Sequence, residues 1–497
     1  MFFLGRGYRM FDYVIVGGGI GGVVSYAILK KIGRNVALLE KESYLGGCSA
    51  TFRRKNYLYN AGASTLVGLE EHMPLGKVFK FLNLPKPKVK KLEVPMVVYV
   101  GDKAIKRYSD REKAIYELEK NFKYKNLKFL WQKVYSISDA NWQNIYSVIP
   151  INYKNPKLLL KKFFGNCRYI IQTLPYHFRT SYEFFKDHLG NFDEDFKHFL
   201  DNQILMTSQG YSEEVPISVG AMGLTYPNLD NYYVYGGMGK VFDFLAHDYK
   251  NVFLRHRVIK IRKVKDVFQV ITDKGVFEAK NVILNKTIWD YCDLLEDLKE
   301  DCIKNRKIYS KIWSSLTIYF NVEDKENLID EYHYQIIHKD TNPYTGSNSF
   351  FVSVSDKEDE VLTKDGKKSV TISTHCKISL WQDLDKQEYL EKKEKAKEFI
   401  LNKLFEYVPK FKYLSIENVM VGTPKTFQRY TGRYNGTVGG IPLIKDYIPL
   451  RYPFNFTPIK GLYLVGDSVF PGQGWPGVIV GVLNLLLQIE DIDEILY

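Results

Sequence analysis

A glycine-rich turn between two apolar strands constrains this chain more than any other feature. The apolar run FDYVIV at residues 11–16 leads directly into GGGIGG at 17–22. A helix of small residues follows, and it leads to a second apolar run, NVALL, at 35–39. Two short buried strands joined by a helix are typical of a parallel βαβ unit. The sequence therefore predicts an α/β domain built on a parallel sheet.

The spacing within this turn indicates what the unit binds. Gly17, Gly19 and Gly22 fit the pattern G-x-G-x-x-G, in which glycines allow a tight turn, a close backbone approach and close helix packing. The helix N-terminus then faces a pyrophosphate with its free N–H groups. Glu40 follows the second strand, near the distance expected for an acid that accepts ribose hydroxyls. We therefore predict a dinucleotide site formed by these four residues.

Length and composition bound the remaining possibilities. With 497 residues, the chain is long enough for two or three domains, and 45% hydrophobic residues supply large cores and an apolar ligand cavity. The net charge of +13 has two interpretations, an anionic partner such as a membrane surface or a bias of the genome toward lysine codons. No basic motif interleaved with aromatic residues appears, so we expect no nucleic-acid partner.

The cysteines and the apolar segments bear on localisation. Five cysteines are scattered without a C-x-x-C pair, which favours a reducing compartment and argues against a disulfide framework or a metal site. The N-terminus lacks the apolar core of a signal peptide, and the run at 475–489 is too short to span a bilayer. We expect a cytoplasmic protein, with or without peripheral contact at the inner face of the cell membrane.

The dinucleotide unit needs partner strands, and the best candidates lie at 252–285 and 461–467. The nucleotide-binding domain is therefore predicted to be discontinuous, with a second domain inserted in two pieces. The predicted bounds are 1–80, 232–300 and 443–497 for the first domain, and 81–231 and 301–442 for the second.

Two further glycine clusters point to a flavin. Gly46 and Gly47 follow Glu40 and would let the backbone pass beside a pyrophosphate and a ribityl chain. Gly466 and Asp467 end an apolar strand just before the last helix, where the carboxylate can accept hydrogen bonds from ribityl hydroxyls. The helix N-terminus can then stabilise negative charge on the flavin pyrimidine ring. Together with the N-terminal turn, this pattern favours FAD over NAD.

With these motifs, the chain resembles FAD-dependent phytoene desaturases, carotenoid cis–trans isomerases and retinol saturases. The resemblance is carried by DYVIVGGGIGG at 12–22, LEKESYLGGCSATF at 39–52, VGTPKTFQRYTGRYNGTVGGIP at 421–442 and GLYLVGDSVFPGQGWPG at 461–477. It implies a glutathione-reductase-type Rossmann FAD-binding domain interleaved with an α+β substrate domain. It also implies FAD contacts at Gly17, Gly19, Gly22, Glu40, Gly46, Gly47, Val258 (backbone, to adenine), Gly466 and Asp467.

The chain departs from the family pattern at three places, one of which is Trp475-Pro476, an unusual pair beside the flavin that would narrow the site. Many relatives carry arginine after the paired glycines, whereas this chain has Cys48 at that position. Members of the isomerase-like branch often have cysteine there too. The common Phe-Asp-x-Gly is here Tyr59-Asn-Ala-Gly62. These departures concern the substrate rather than the cofactor.

The resemblance implies an oxidoreductase that acts on a long apolar polyene or isoprenoid. A desaturase would remove hydride and need an acceptor such as a quinone, whereas an isomerase or saturase would use reduced flavin. No catalytic acid or base is identified, and Glu213 and Glu214 are expected at the surface. The segment 157–178 is either a membrane contact or an ordinary core helix with a lysine edge.

Two other functions remain open at this point. One is a non-catalytic lipid-binding protein like the Rab escort and GDP-dissociation-inhibitor proteins, which share the fold without flavin. The intact glycine turn and Glu40 argue against it. The other is an amine oxidase acting on a polar amine, whose site would need an aromatic cage beside the flavin.

Overall fold

The computed structural model describes residues 10–62, 64–147, 156–295, 298–448, 451–490 and 492. Its strands are β1 (Met10–Val16), β2 (Val36–Leu39), β3 (Thr51–Arg54), β4 (Tyr57–Asn60), β5 (Leu66–Val67), β6 (Val89–Lys91), β7 (Met96–Val100), β8 (Lys103–Arg107), β9 (Asn231–Val234), β10 (Val252–Phe253), β11 (Val258–Val264), β12 (Val267–Thr272), β13 (Gly275–Leu284), β14 (Trp313–Glu323), β15 (His333–Ile337), β16 (Ser349–Val354), β17 (Lys367–Lys377), β18 (Ser415–Gly422) and β19 (Leu462–Leu464).

The helices are α1 (Ile20–Lys31), α2 (Pro74–Leu82), α3 (Arg111–Asn121), α4 (Leu127–Ser147), α5 (Pro156–Thr173), α6 (Ser181–Leu189), α7 (Glu194–Ser208), α8 (Ile217–Thr225), α9 (Gly239–Leu245), α10 (Lys299–Ile308), α11 (Lys386–Tyr407), α12 (Pro424–Thr431) and α13 (Gly474–Ile489).

The first sheet is the predicted Rossmann sheet. Its strand order is β10-β2-β1-β13-β12-β11, and β19 lies beside the end of β13. The central pairs β2–β1, β1–β13 and β13–β19 are all parallel. Both faces of β1 are covered, because Ile15 packs in one core with α1 and α13 while Val14 and Val16 pack in a second core. Burial on both faces explains the continuous apolar run in the sequence.

The second sheet is mainly antiparallel and has the order β18-β14-β17-β16-β15-β7-β8. Its centre is the pair β14–β17, in which Trp313 lies opposite Lys377 and Glu323 lies opposite Lys367. Alternate residues of β14 such as Leu316 and Ile318 pack in a core with α11. The intervening residues are mostly polar and aromatic, so the two faces of this sheet have different chemistry.

The first sheet draws its strands from 10–39, 252–284 and 462–464, and the second sheet from 96–107, 313–377 and 415–422. The chain therefore passes between the two sheets more than once, as an interleaved arrangement requires. The exact domain bounds stay a prediction. Three of the predicted bounds, at residues 80, 231 and 300, fall within α2, β9 and α10.

One expectation about the cysteines is wrong. Cys292 and Cys302 form a disulfide, whereas the scattered spacing of the five cysteines argued against a disulfide framework. The reason is local, because the short helical turn at Tyr291–Leu294 and α10 are brought against each other in a buried core. Cys48, Cys167 and Cys376 are free thiols.

Candidate active site

The glycine turn lies between β1 and α1, beside the end of β13. Gly17 has a φ of 101°, and its N–H donates to the carbonyl of Leu39 at 2.8 Å. A Cβ added at Gly22 would lie 2.0 Å from the carbonyl oxygen of Gly17, so only glycine fits there. Gly19 precedes α1, which has neither a side-chain cap nor an acidic residue in its first turn. A helix N-terminus of this kind is suited to hold an anionic group.

Glu40 ties the end of β2 to the same turn. Its Oε2 accepts a hydrogen bond from the N–H of Gly18 at 2.7 Å, and its Oε1 accepts one from the N–H of Glu42 at 2.8 Å. Burial raises the pKa of the Glu40 carboxyl, although the two N–H groups oppose that effect. A carboxylate has about four lone-pair sites, so acceptor capacity remains for ribose hydroxyls.

The paired glycines after Glu40 lie against the turn. The N–H of Gly46 donates to the carbonyl of Gly18 at 2.8 Å, which fixes this segment over the turn. Gly47 is exposed and has a φ of 57°. A Cβ added there would lie 3.6 Å from the Cα of Gly19, so a side chain would begin to fill the space over the helix N-terminus. The absence of side chains leaves that space open, as the predicted pyrophosphate site requires.

Val258 lies near Glu40 in the first sheet. It begins β11, opposite Thr272 in the first sheet. Two residues before it, the N–H of His256 donates to the carbonyl of Glu40 at 2.8 Å. This hydrogen bond brings the start of β11 close to Glu40, so the backbone of Val258 lies near the position that an adenosine held by Glu40 would take.

Gly466 and Asp467 reach the turn from the far end of the chain. The N–H of Val465 donates to the carbonyl of Leu284 at 2.9 Å, continuing the pairing of β13 with β19. Gly466 has a φ of 125°. A Cβ added at Gly21 would lie 3.3 Å from the nitrogen of Gly466, so the two glycine segments are in direct contact.

Asn285 is a site residue that the sequence analysis missed. It follows β13, and its Nδ2 donates to the carbonyl of Gly17 at 3.4 Å. A Cβ added at Gly19 would lie 2.7 Å from that same nitrogen, and one at Gly466 would lie 3.2 Å from its Oδ1. Its amide therefore sits between the two glycine segments. The position of Asn285 directly after a buried strand was the signal that could have identified it.

Arg433 is a second residue that was missed. Its guanidinium donates to Oδ2 of Asp467 at 2.7 Å, and only 21% of the arginine side chain and 13% of the aspartate side chain are exposed. Burial opposes the charge of Arg433, but the Asp467 carboxylate outweighs this effect and raises the pKa of Arg433. Burial raises the pKa of the Cys48 thiol, and the charge of Arg433 acts against that rise. Arg433, Asp467 and Cys48 thus form one electrostatic group.

The segment that carries Arg433, residues 424–440, connects the two sheets. On the first-sheet side, Nζ of Lys41 donates to the carbonyl of Arg429 at 2.7 Å. On the second-sheet side, the N–H of Val438 donates to the carbonyl of Trp313 at 3.0 Å. A Cβ added at Gly440 would lie 1.7 Å from the carbonyl oxygen of Asp467, which shows how closely this segment follows the end of β19.

An aromatic cluster connects the hairpin β3–β4 to the second sheet. Tyr319 makes an edge contact with Phe52 at 5.1 Å between ring centroids and with Tyr59 at 5.8 Å. The Tyr319 hydroxyl donates to the carbonyl of Ala61 at 2.6 Å, and the Tyr59 hydroxyl donates to Oδ1 of Asn321 at 2.5 Å. Both tyrosine hydroxyls are engaged, and the cluster holds the hairpin after Cys48 against β14.

The two acids that were expected at the surface form ion pairs there. Glu213 lies 3.4 Å from Nζ of Lys197, and Glu214 lies 2.9 Å from Nζ of Lys311. Neither contacts the glycine segments in any interaction of the described residues. Among those residues, no helix is both long enough and apolar enough to cross a membrane.

Comparison with known proteins agrees with this arrangement. A family model described as an NAD(P)-binding Rossmann-like domain matches residues 15–82. Prolycopene isomerase 1, chloroplastic, of an Oncidium hybrid cultivar is 28% identical over 488 residues, which are 93% of this chain and 81% of that protein. The 1-hydroxycarotenoid 3,4-desaturase of Flavobacterium sp. is 24% identical over 93% of this chain and 96% of its own length.

Solved structures share the fold at lower identity. An oxidoreductase from Methanosarcina mazei has a TM-score of 0.63 and 19% identity, with 95% of this chain and 99% of that chain covered. Wild-type putrescine oxidase bound to putrescine has a TM-score of 0.61 and 14% identity, with 97% and 99% covered. The α/β fold class with a Rossmann-like domain is therefore confirmed. The chain is a homologue of prolycopene isomerases and of a carotenoid desaturase over most of its length, which confirms the predicted resemblance and the prediction of an oxidoreductase-type enzyme.

Proposed function

We propose that this protein is an FAD-dependent oxidoreductase that acts on a carotenoid or another long apolar isoprenoid. One observation carries the proposal, namely the direct contact between the N-terminal glycine turn and the C-terminal Gly466–Asp467 segment. Through Arg433, that segment is tied to residues 424–440, which lead to the second sheet. A cofactor lying along these glycines would have one end at Glu40 and the other beside the second sheet.

The residues at the first sheet suit the parts of FAD. Glu40 would accept the ribose hydroxyls, and the backbone at Val258 would border the adenine. The N-terminus of α1 at Gly19 and Gly22, with Gly46 and Gly47, would hold the pyrophosphate. Gly17 gives the turn its shape, and Asp467 beside Gly466 would accept hydrogen bonds from the ribityl chain. When bound, FAD would supply hydride transfer at N5, the chemistry that no side chain here provides.

The substrate class is supported by the names of the homologues, which are prolycopene isomerases and a 1-hydroxycarotenoid desaturase. Desaturation would require an electron acceptor such as a quinone, whereas isomerisation conserves the electrons. The putrescine oxidase structures share the fold at 14–15% identity, so they support the architecture and not an amine substrate.

We further propose that residues 157–178 contact a membrane from which an apolar substrate would be drawn. Several large apolar side chains of this region are exposed, namely Leu160 (54%), Ile171 (69%), Leu174 (51%) and Phe178 (67%). The segment 156–178 contains four lysines and arginines and no acid in its sequence. Apolar residues on a basic segment favour binding at an anionic bilayer surface. Changing Ile171 and Phe178 to glutamate should abolish co-sedimentation with anionic phospholipid vesicles, and unchanged sedimentation would contradict the contact.

Anaerobic expression in cells that supply phytoene or poly-cis lycopene tests the enzymatic function. We expect yellow purified protein and a changed polyene pattern by chromatography and absorbance. Desaturation lengthens the conjugated system, whereas isomerisation leaves the mass unchanged. Cells that express Gly22→Ala provide the matched background, because the clash with Gly17 should weaken FAD binding in that variant.

Three outcomes are informative. Yellow protein that changes a polyene supports the proposal. Yellow protein that leaves every polyene unchanged but oxidises amines would replace the substrate class with amines. Colourless protein that cannot take up FAD would favour a lipid-binding protein without catalysis.

A further inference from the structure

A pair of polar side chains lies on the second-sheet side of the molecule. The sequence predicted an apolar substrate for the domain that contains this sheet. Gln209 follows α7 and is buried, and His375 lies on β17 and is half-buried. Their Nε2 atoms are 3.3 Å apart. Trp313 holds both residues, because its Nε1 donates to the carbonyl of Gln209 at 3.1 Å and its ring makes an edge contact with His375 at 5.7 Å between centroids.

The pair is adjacent to the segments assigned to the cofactor. A Cβ added at Gly439 would lie 2.6 Å from Nε2 of Gln209 and also 2.6 Å from Oε1 of Gln473. Gln473 directly precedes α13, and the neighbouring Gly440 packs against the carbonyl of Asp467. Gly439 and Gly440 therefore connect Gln209 with Asp467, a residue assigned to the flavin site.

The hydrogen bonds of this pair are incomplete. Within the described residues, neither Oε1 of Gln209 nor Nδ1 of His375 has a hydrogen-bond partner, and both atoms are buried. Buried polar atoms of native proteins are nearly always paired, with protein, water or ligand. Two such atoms next to one another therefore indicate a missing polar group.

The chemistry of the missing group follows from the pairing. An amide nitrogen of Gln209 can only donate, so Nε2 of His375 accepts and the proton of the neutral ring lies on Nδ1. Burial lowers the pKa of His375 to about 4, which keeps the ring neutral. The pair thus offers one donor, Nδ1–H, and one acceptor, Oε1. Rotating the amide of Gln209 by half a turn exchanges the two roles and still leaves one donor and one acceptor.

We propose that Gln209 and His375 bind the hydroxyl group of a polyene alcohol, so that this enzyme prefers a hydroxylated isoprenoid over the corresponding hydrocarbon. A hydroxyl both donates and accepts, whereas a hydrocarbon does neither and would leave both side chains unpaired. The proposal rests on the proposed function and narrows its substrate class. The pair belongs to the second-sheet side, and neither residue is one of those assigned to the cofactor.

The test compares 1-hydroxylycopene with lycopene of the same double-bond geometry, bound to the FAD-loaded protein in detergent micelles. Affinity is measured from the quenching of tryptophan fluorescence and from the shift of polyene absorbance. We expect the alcohol to bind at least about tenfold more tightly, because a site that must pair two buried polar groups discriminates strongly against an analogue that lacks them.

Two variants of one residue separate hydrogen bonding from simple packing. His375→Asn keeps a donor at the δ position and should retain the preference for the alcohol. His375→Gln keeps only the group that faces Gln209, and its preference should fall to within about threefold. Gln132→Leu, an exposed glutamine on α4 that is remote from both residues in sequence, is the control that should behave like the unchanged protein.

Each other outcome is decisive. Equal affinity for the two polyenes in the unchanged protein would overturn the proposal while leaving the proposed function intact. A His375→Gln variant with altered FAD affinity or flavin absorbance and an unaltered preference would assign the pair to the cofactor instead. Binding of neither polyene by FAD-loaded protein would overturn the carotenoid substrate itself, and this inference with it.

Discussion

The glycine turn belongs to the first sheet and the Gln209–His375 pair to the second-sheet side, and the two regions are built in opposite ways. The turn is made of backbone atoms from one short stretch of chain, and side chains are excluded from it by contacts such as that between Gly22 and Gly17. The pair consists of the side chain that follows α7 and one from β17, held together by Trp313 of β14. A side chain added in the glycine turn would clash with neighbouring backbone atoms. In the pair, a single substitution can change which chemical group of a ligand is bound.

This difference explains which part of the site stays the same among related proteins and which part varies. A backbone-built site requires glycine at fixed spacing, so it persists wherever the dinucleotide is kept. A side-chain-built site requires only that some polar or apolar group stand at a position set by the fold. Proteins with this architecture can therefore share a cofactor while differing in substrate.

The largest effect is expected where the backbone leaves no room. In Gly22→Ala, the new methyl group would lie 2.0 Å from the carbonyl oxygen of Gly17, so the turn or α1 must move. Overpacking of this kind typically costs about 1–3 kcal/mol, and we expect FAD affinity to fall roughly 10- to 100-fold or more. Fluorescence titration with FAD measures this. Gly165→Ala on α5 meets no atom within 4 Å and should leave FAD affinity unchanged. FAD binding by Gly22→Ala within threefold of the unchanged protein would refute the backbone-built description.

A smaller effect is expected at Arg433, which connects the two regions. In Arg433→Gln, Asp467 would keep its charge in a largely buried position without its partner. We expect a loss of about 1–3 kcal/mol in the free energy of unfolding, measured by urea denaturation. The double variant Arg433→Gln/Asp467→Asn should recover part of that loss, because the unpaired charge is gone. A double variant no more stable than Arg433→Gln would show that the ion pair does not couple the two residues.

The smallest effect per residue is expected in the response of the protein to acid. Burial lowers the pKa values of His333 and His338, like that of His375, to about 4, and all three belong to the second-sheet side. A histidine with a folded-state pKa below its unfolded value near 6.5 stabilises the fold above that value, and this contribution is lost as the pH falls toward 4. Going from about pH 7 to about pH 5 should cost about 1–2 kcal/mol for each histidine.

Glu40 on the first-sheet side has the opposite sign, because its raised pKa makes the folded state the better proton acceptor. Calorimetry at both pH values tests the contrast. The double variant His333→Gln/His338→Gln should show a smaller drop in melting temperature than the unchanged protein. An equal drop in both would mean that acid does not act through these histidines.

The sequence was sufficient for the parts of the molecule that depend on local patterns. The βαβ unit was predicted from its apolar runs and glycine spacing, with β1, α1 and β2 each found within a few residues of the expected place. Residues 461–467 were predicted to supply a partner strand of this sheet that ends at Gly466 and Asp467, and β19 pairs with β13 at that place. The FAD contacts themselves stay a prediction.

What the sequence did not reveal depends on contacts between distant segments. Arg433 lies in the stretch 421–442, which carries part of the family resemblance, but no local pattern indicates that it pairs with Asp467. The disulfide between Cys292 and Cys302 was missed because spacing alone does not show that α10 folds back on the preceding turn. Gln209 and His375 are 166 positions apart, and only the packing of Trp313 shows that they meet.

The pairing of β13 with β19 also sets the order of events when the protein is made. The sheet that begins with β1 gains its last parallel strand only at Leu462–Leu464, and Arg34 is held by Glu490 of the final segment. At about 5–20 residues per second, translation needs roughly 20–90 s to produce the about 450 residues between β1 and β19. During that interval the β1–α1–β2 unit has apolar surface without its native cover. The ribosome-bound chain therefore exposes apolar surface in this N-terminal unit during that interval, and the parallel sheet is complete only after β19 has been synthesised.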